Sequence, residues 1–524
     1  MLKDNRKIIS QNLEKILNSA SFQNSKRNRL LLGFLVEETL TGRANRIKEY
    51  TIGVSVFEDV NFELGKSSVV RNQMVRLRKA LNDYYLTEGK DDEIKIVVEK
   101  GQYVPRFLDK AKELNEPGLQ MKLIPLLAVL PFRSYFPEQN RQEMTEYLTD
   151  ELILKFTAFS DLRVIANYSI LTYFKQGGKM TELSSAFGLD YLIEGKVQIT
   201  NNILKINVQL INAENGVCSW AKKYQEAYME YGLTFSMDII INEIAQSIAG
   251  GLGIITQIEQ GRLKKSHIKK GKTELYKAII LSRNADMFPE TYFTKETFDY
   301  LAMAIDDYHL DGELHARYAF LLSNSYALNL AIVENPWEKA KYHMEKAMAL
   351  DPANQFVMST KLDFYRLNKE YDKIRPAALR VISLNPNNAY LVVASGWTLA
   401  ICGYLEDGIK IVEKSLRNCP IKPYYVQYLY FLRAYTALDF TLALKEAYEF
   451  HAPGIFWKPL IELLALEKLN FIEEASTKFN EIIEMNPDFA SNYSFYLSNY
   501  VYDSGILKEM EKSIHKVQIF QSLH

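Results

Sequence analysis

Basic side chains are concentrated in one segment of the N-terminal region. Between Phe62 and Asn82 the sequence has five basic residues and a single acid, Glu63. Four of the five lie close together: Arg71, Arg76, Arg78 and Lys79. Guanidinium and ammonium groups bind phosphate oxygens, and arginine can also hold the edge of a guanine with two hydrogen bonds. The pattern therefore predicts a phosphate-rich partner, and nucleic acid fits it best.

The same segment carries the spacing of an amphipathic helix. One apolar stripe is formed by Val70, Met74, Leu77, Leu81 and Tyr84, and the basic residues fall outside this stripe, so we expect them to face solvent. Further along, Lys95–Glu99 alternates, Lys100-Gly101 is predicted to turn, and Gln102–Phe107 returns, which is typical of a hairpin. A positive helix that fits a major groove, followed by a basic hairpin that touches the backbone, is an arrangement that binds nucleic acid.

Two short motifs carry a family resemblance. Arg76-Leu77-Arg78-Lys79-Ala80-Leu81 and Lys100-Gly101-Gln102-Tyr103 resemble the recognition helix and the wing of OmpR-type winged helix-turn-helix domains. The similarity covers about residues 27–107 and departs from the family between Arg43 and Gly65, where the segment between the two helices is longer. It implies that residues 1–110 form a winged helix that binds double-stranded DNA.

Within this domain the resemblance and the charge pattern assign roles to individual residues. Arg71 and Arg76 are predicted to contact bases in the groove, with Asn72, Gln73 and Val75 beside them. The phosphate contacts are assigned to four further basic residues: Arg78, Lys79, Lys100 and Arg106. The alternative interpretation is that the basic face is only a solvated helix face, because runs of charge usually are.

Length, charge and cysteine content limit the fold classes and the cellular compartment that suit the chain. With 524 residues the chain is too long for one hydrophobic core, and residues 1–110 hold 20 basic against 15 acidic residues, while the whole chain has a net charge of −1. The three cysteines show no paired spacing, which favours a reducing compartment. No apolar run approaches the roughly 20 residues that span a bilayer, and the first residues lack the apolar core of a secretory signal. We expect a soluble, cytoplasmic protein without membrane contact.

The middle of the chain alternates strands and helices. After a charged linker predicted over 111–122, residues 123–255 begin with the buried apolar strand Leu126–Phe132 and include two strands joined at Asn201-Asn202, a turn suited to positive φ. The segments around 127–132, 148–153, 162–166, 191–197 and 208–213 resemble, in order, the N-terminal domain of TolB as it recurs in bacterial regulators and in proteins fused to nucleotide cyclases. The resemblance implies an α/β sandwich that senses or contacts a partner.

The last half of the chain is repetitive. Five prolines lie 34, 34, 33 and 34 residues apart: Pro352, Pro386, Pro420, Pro453 and Pro487. A period of about 34 residues is the signature of tetratricopeptide (TPR) helix pairs, so residues 272–524 are predicted to form an α-solenoid. In this interpretation Gly396 allows close helix packing and Gly403 allows a turn. The overall prediction is a multidomain protein with a winged helix, a TolB-like α/β sandwich and a TPR α-solenoid.

Catalytic chemistry has little support in the sequence. The seven histidines all follow residue 266, and none has the spacing of a metal site. Ser266–Thr273 has the tail of a phosphate-binding loop but lacks its leading glycine and the preceding strand. We expect no catalytic residue, no metal and no cofactor, and no segment remains to form a cyclase domain.

Two interpretations from different classes follow. The first is a DNA-binding transcription regulator, whose TolB-like and TPR domains sense a signal or bind a protein or peptide partner. The alternative is a non-enzymatic scaffold or signalling adaptor in which the winged helix has become a contact module. The outward basic residues favour the first interpretation. The sequence leaves the formation of a homodimer open.

Overall fold

The chain divides into two compact units, Met1–Gln120 and Met121–His524. The computed structural model describes residues 6–23, 25–44, 47–57, 69–89, 92, 94–98, 103–109, 124–134, 139–227, 233–265, 275–330, 332–419, 421–451 and 454–523. The predicted linker over 111–122 lies outside these residues. In broad terms, an α/β layer and an all-α region are both present, as the sequence predicts.

The first unit consists of helices followed by a two-stranded sheet. Its elements are α1 (Arg6–Asn18), α2 (Ala20–Gln23), α3 (Lys26–Leu40), α4 (Glu49–Phe57), α5 (Val69–Leu86), β1 (Ile94–Val97) and β2 (Arg106–Asp109). The long segment that separates Arg43 from Gly65 contains α4, which packs against α3 and α5. A helix therefore accounts for part of the extra length there.

The core of the first unit lies under α5. The whole predicted stripe is buried, from Val70 to Tyr84, and it packs against Leu31 and Leu35 of α3 and Ile96 of β1. This confirms the helical period of the segment and places the remaining faces of α5 outside the core.

The hairpin differs from its prediction in the extent of its strands. Strands β1 and β2 are antiparallel, with Ile94 opposite Asp109 and Val97 opposite Arg106. Of the predicted return over Gln102–Phe107, Gln102 lies outside the described residues, 103–105 precede the strand, and only Arg106 and Phe107 belong to β2. Pro105 is buried just before β2, and proline has no N–H to donate to a strand ladder, so pairing starts only after it.

The second unit begins with a mixed sheet. Its strands are β3 (Leu126–Val129), β4 (Arg133–Ser134), β5 (Arg163–Val164), β6 (Tyr191–Thr200), β7 (Ile203–Asn212) and β8 (Cys218–Ala227). They lie in the order β5-β3-β6-β7-β8, with β4 also beside β6; β3 is parallel to β5 and β6, while β6, β7 and β8 are antiparallel. The turn between β6 and β7 has φ values of 53° and 56° at Asn201 and Asn202, which confirms its predicted chemistry.

Helices cover both faces of this sheet. They are α6 (Gln139–Thr157), α7 (Asn167–Lys175), α8 (Leu183–Phe187) and α9 (Leu233–Ile248). Leu127 and Val129 pack in the core that α6 and α9 share, whereas Ala128 and Leu130 pack with residues of α7 and α8. Because β3 is buried on both sides, its sequence is continuously apolar.

A further helix, α10 (Ile254–Lys265), extends beyond the end of the domain predicted over 123–255. The hydroxyl of Tyr191 on β6 donates to Oε1 of Glu259 at 2.6 Å, and Arg262 contacts the same oxygen at 2.6 Å. The helix is therefore attached to the sheet by a buried polar cluster. Residues 266–274, which include the whole loop-like Ser266–Thr273 segment, lie outside the described residues.

Helix pairs make up the rest of the second unit. They are α11 (Leu275–Met287), α12 (Pro289–Tyr292), α13 (Lys295–Asp307), α14 (Gly312–Ala327), α15 (Pro336–Leu350), α16 (Gln355–Leu367), α17 (Ile374–Leu384), α18 (Ala389–Ile401), α19 (Leu405–Leu416), α20 (Val426–Thr436), α21 (Phe440–Glu449), α22 (Trp457–Lys468), α23 (Ile472–Met485), α24 (Phe489–Ser498) and α25 (Ser504–Leu523). Helices α15, α17 and α23 end just before Pro352, Pro386 and Pro487, as the period predicts; Pro420 and Pro453 lie outside the described residues.

Two glycines in these pairs have the geometry that the sequence suggested. A Cβ on Gly396 would lie 3.1 Å from the backbone oxygen of Gly408 on the next helix, so α18 and α19 can approach closely. Gly403, in the turn between these helices, has a φ of +104°, which favours glycine.

The helical array closes on itself. The ring of Tyr326 packs edge-on against Phe495, and that of Tyr371 packs edge-on against Tyr502. We call the contact between the described part of 326–371 and residues 495–502 the closure. Nδ2 of Asn329 donates to the Tyr496 hydroxyl at 3.1 Å, and Nη1 of Arg366 donates to the carbonyl of Asn499 at 2.6 Å. Stacked repeats normally touch only their neighbours, whereas here early and late helices meet across more than 130 positions of sequence.

The α/β layer and the helix pairs are held together by buried polar contacts. Arg283 of α11 pairs with Asp161 at 2.8 Å and donates to the Thr256 hydroxyl at 2.9 Å. Nδ2 of Asn385 donates to the carbonyl of Ala158 at 3.0 Å. The structure thus makes one compact unit where the sequence suggested domains at 123–255 and 272–524. Within the described ranges, no helix is long and apolar enough to cross a membrane.

Candidate nucleic-acid interface

One face of α5 points away from the core of the first unit. Asn72, Val75, Arg76 and Lys79 are exposed. Val75 and Arg76 each lie three or four residues from both Asn72 and Lys79, so the four share this face. Val75 is 63% exposed. A surface-facing valine between an amide and two cations suits the major groove of DNA. There a valine methyl group can contact the methyl group of thymine, and the cations can contact phosphates. We call this set the outward face.

Gln73 does not belong to the outward face. Its side chain is only 4% exposed, and Nε2 donates to Oδ1 of Asn28 on α3 at 2.6 Å. The prediction that placed it beside the groove contacts was wrong in position. Gln73 lies about one turn from Val70 and next to Met74, so its backbone position is at the border of the buried stripe. A partner on α3 satisfies its amide inside the core.

Arg78 fixes the hairpin to the helix. It is half-buried, and its Nε donates to the carbonyl of Val98 at 3.0 Å, just after β1. The contact sets the position of the hairpin relative to the outward face. Its assignment to a phosphate stays a prediction.

Helices α1 and α5 hold β1 through further polar contacts. Nδ2 of Asn12 donates to the carbonyl of Ile94 at 2.6 Å, and the backbone N–H of Ile96 donates to the Tyr85 hydroxyl at 2.6 Å. The Tyr84 hydroxyl donates to Asp92 at 2.6 Å, and burial together with this carboxylate raises the pKa of Tyr84. The Tyr84 hydroxyl therefore remains a hydrogen-bond donor at any ordinary pH. Together, the contacts at Asp92, Ile94 and Ile96 fix the start of the hairpin.

The remaining predicted residues are placed as follows. Arg71 lies in the first turn of α5, and nothing further of its side chain is described. Lys100 lies outside the described residues. Arg106 is exposed at the start of β2.

The hairpin adds one basic residue that the site prediction did not include. Lys95 is exposed on β1, with its ammonium 5.3 Å from the ring centre of Tyr85. Lys95 and Val97 alternate on one face, and Val97 is paired with Arg106, so the two cations share the exposed face of the hairpin. The alternation of Ile94 and Ile96 with Lys95 was the signal that could have identified it. Two basic surfaces, the outward face and this hairpin face, thus lie in one unit.

Clustered metal ligands do not accompany these surfaces. In the described part of the chain, no three histidine, cysteine, aspartate or glutamate side chains lie close enough to hold a metal ion.

The middle of the chain matches a family of regulators. Residues 123–227 match the profile described as the second domain of HilA/YgeH-like transcriptional regulators. This segment comprises most of the α/β layer, from β3 through β8. The match supports a regulatory role for the protein.

Other similarities are partial. The chain is 27% identical over 184 residues to a protein named "Putative adenylate cyclase 3" from Rhizobium meliloti (strain 1021), and the match covers 34% of this chain and 30% of that relative. Among solved structures, the lipoprotein GNA1162 from Neisseria meningitidis aligns at 18% identity over 24% of this chain and 99% of its own, with a TM-score of 0.19. PelC from Paraburkholderia phytofirmans aligns at 15% identity over 22% of this chain and 82% of its own, with a TM-score of 0.17. Scores this low carry no functional argument.

Proposed function

We propose that this protein is a transcription regulator that binds double-stranded DNA through residues 1–110, used as an OmpR-type winged helix. The observation that carries the proposal is the outward face of α5, in a chain whose middle segment is similar to a regulator domain. In this proposal α5 enters the major groove, and the protein acts by binding rather than by catalysis.

The chemistry of each surface suggests its part in binding. Arg76 can reach a base edge, and Asn72 can offer both a donor and an acceptor to adenine. Lys79 at the end of the outward face, and Lys95 and Arg106 on the hairpin, suit phosphate oxygens on either side of a groove. Phosphate contacts give affinity, while Arg76, Asn72 and Val75 give sequence preference.

The second unit is proposed to supply the regulatory input. In this view the α/β layer is a TolB-like contact module, and the helix pairs are TPR-type repeats that hold a protein or peptide partner. The buried ion pair between Arg283 and Asp161 supports a single mechanical unit, because binding to either part then acts on both.

The test is DNA binding by the full chain, measured by fluorescence anisotropy with mixed-sequence duplex fragments over a range of salt concentrations. Log affinity should fall linearly with log salt, with a slope of about −0.9 for each phosphate neutralised. Arg76→Ala and Lys79→Ala should each make the slope less steep by about 0.9 or relax sequence preference. Arg375→Ala and Lys295→Ala, both exposed cations of the second unit, are matched controls and should leave the slope unchanged.

A salt-independent affinity, or no binding at low salt, would remove the DNA proposal. The scaffold interpretation would then gain, since a protein-contact module has no need of phosphate binding. Equal slopes for the outward-face variants and the controls would show that DNA binds elsewhere on the chain.

A further inference from the structure

An aromatic cavity lies inside the closed array of helix pairs. Its volume is about 120 Å³, and since a single water needs roughly 10–15 Å³ of such space, a small organic molecule can fit. Six aromatic side chains form much of its wall: Tyr390, Trp397, Tyr424, Tyr425, Tyr428 and Trp457. The closure adds Arg366 and Tyr500 to the wall, so the space is bounded by both early and late helices.

The charged residues of the wall leave one carboxylate without a cation. Among the described residues that line the cavity, the charged side chains are Asp286, Asp363 and Arg366. Nε and Nη2 of Arg366 both donate to Oδ1 of Asp363, at 2.8 and 2.5 Å. Asp363 therefore neutralises Arg366, and Asp286 gives the cavity an excess of negative charge.

Asp286 has a partner that orients it without neutralising it. The Tyr390 hydroxyl donates to its Oδ2 at 2.8 Å. Burial, with a further contribution from Asp363, raises the pKa of Asp286 to about 6. A buried carboxylate of this kind costs free energy when it is ionised, and a cation beside it lowers that cost.

Two polar groups of the wall have no hydrogen-bond partner within the described residues. One is Nε1 of Trp457, whose side chain is 6% exposed, and the other is the hydroxyl of Tyr425. Buried donors are normally satisfied. Both belong to residues that line the cavity, and both atoms are closed off from water in this structure. An acceptor oxygen held in the cavity can therefore satisfy them once neighbouring side chains of the wall shift.

We propose that this cavity binds a small organic cation that also carries a hydroxyl or ether oxygen. The cationic group lies beside Asp286 among the aromatic rings, whose faces attract cations most strongly when both are desolvated. The oxygen accepts from Trp457 or Tyr425. Arg366 and Tyr500 of the closure bound the cavity, so this site suits a small molecule rather than an extended peptide. This inference goes beyond the proposed function and does not depend on DNA binding.

The test uses choline and its neutral carbon isostere, dimethylbutanol, as probes of the full-length protein. Isothermal titration calorimetry measures affinity, and quenching of tryptophan fluorescence reports occupancy, because Trp397 and Trp457 are in the wall. We expect saturable binding of choline, at least about tenfold tighter than binding of the isostere. Tetramethylammonium, which lacks the hydroxyl, should bind more weakly than choline.

Variants separate the charge from the shape of the site. Asp286→Asn keeps an acceptor for Tyr390 but removes the charge, so choline should bind about tenfold or more weakly while the isostere binds as before. Asp299→Asn changes an exposed acid of α13 and should have no effect. Thermal unfolding followed by circular dichroism checks that each variant is folded, and Trp457→Phe gives a second, independent loss if Asp286→Asn does not fold.

Two outcomes would overturn the proposal. One is equal binding of choline and its isostere to the wild-type protein, which shows that charge is not recognised. The other is the lack of a saturable response to choline, tetramethylammonium and butylammonium at millimolar concentrations.

Discussion

Replacement of Arg283 by methionine should destabilise the second unit by about 3–5 kcal/mol. The Arg283 side chain is 1% exposed, and its partner Asp161 is 11% exposed, with 2.8 Å between Nη2 and the carboxylate. Methionine keeps the apolar stem but leaves a desolvated carboxylate without its cation. It also removes the hydrogen bond to Thr256.

The size of this effect follows from the geometry. Two unit charges about 4 Å apart attract each other by ~4 kcal/mol at the effective dielectric constant of about 20 that suits protein sites. The desolvation of Asp161 is not recovered in the variant, so most of this attraction appears as lost stability. The double variant Arg283→Met/Asp161→Leu should therefore be more stable than the sum of the two single changes indicates.

Urea unfolding of the full chain measures the effect through tryptophan fluorescence and far-ultraviolet circular dichroism. Arg375→Met is the matched control, because Arg375 pairs with Asp407 at 3.6 Å but the two side chains are 54% and 52% exposed. Arg375→Met should lower the free energy of unfolding by less than about 1 kcal/mol. If Arg283→Met lies within about 1 kcal/mol of this control, the α/β layer and the helix pairs are not joined as the structure shows.

Three further predictions concern other buried polar groups. Gln73→Ala should destabilise the first unit by about 1–3 kcal/mol, because it leaves the Asn28 amide oxygen without its donor. The salt dependence of DNA binding should stay unchanged. An unshifted thermal unfolding curve would contradict the predicted loss of stability. Burial lowers the pKa of His343 to about 4, so as pH drops from about 6.5 to about 4 the unfolded chain takes up the proton first and the folded state should lose stability. His343→Phe should make the melting temperature depend less steeply on pH over this range. An unchanged pH dependence of the melting temperature would contradict this prediction. Truncation after residue 420 removes Asn499, the acceptor of Arg366, so the remaining helices should melt at a lower temperature; an unchanged melting temperature would show that the closure adds no stability.

The sequence predicted those parts of the fold that local periodicity determines. The stripe from Val70 to Tyr84, the turn at Asn201-Asn202 and the roles of Gly396 and Gly403 depend on neighbours in the chain, and the structure confirms them. The 34-residue spacing likewise predicted where α15, α17 and α23 end.

Long-range contacts account for what the sequence could not show. Gln73 borders the stripe, and only the position of Asn28 on another helix decides that its amide turns inward. Helix α10 has a glycine and many polar residues, so its local signal is weak, and it is held by Tyr191 from a strand far away in the chain. Asp286 is a single acid whose cavity is built by residues that lie well beyond it in the chain, from Phe320 to Tyr500.

The closure also bears on how this protein can change through evolution. An open array of repeats gains or loses whole units with little penalty, because each unit contacts only its neighbours. Here Asn329 and Arg366 must meet Tyr496 and Asn499, and the insertion or deletion of one unit would rotate and shift these partners out of reach. The number of units between them is therefore fixed by geometry, and relatives that keep the closure should share the same copy number while their surface residues vary.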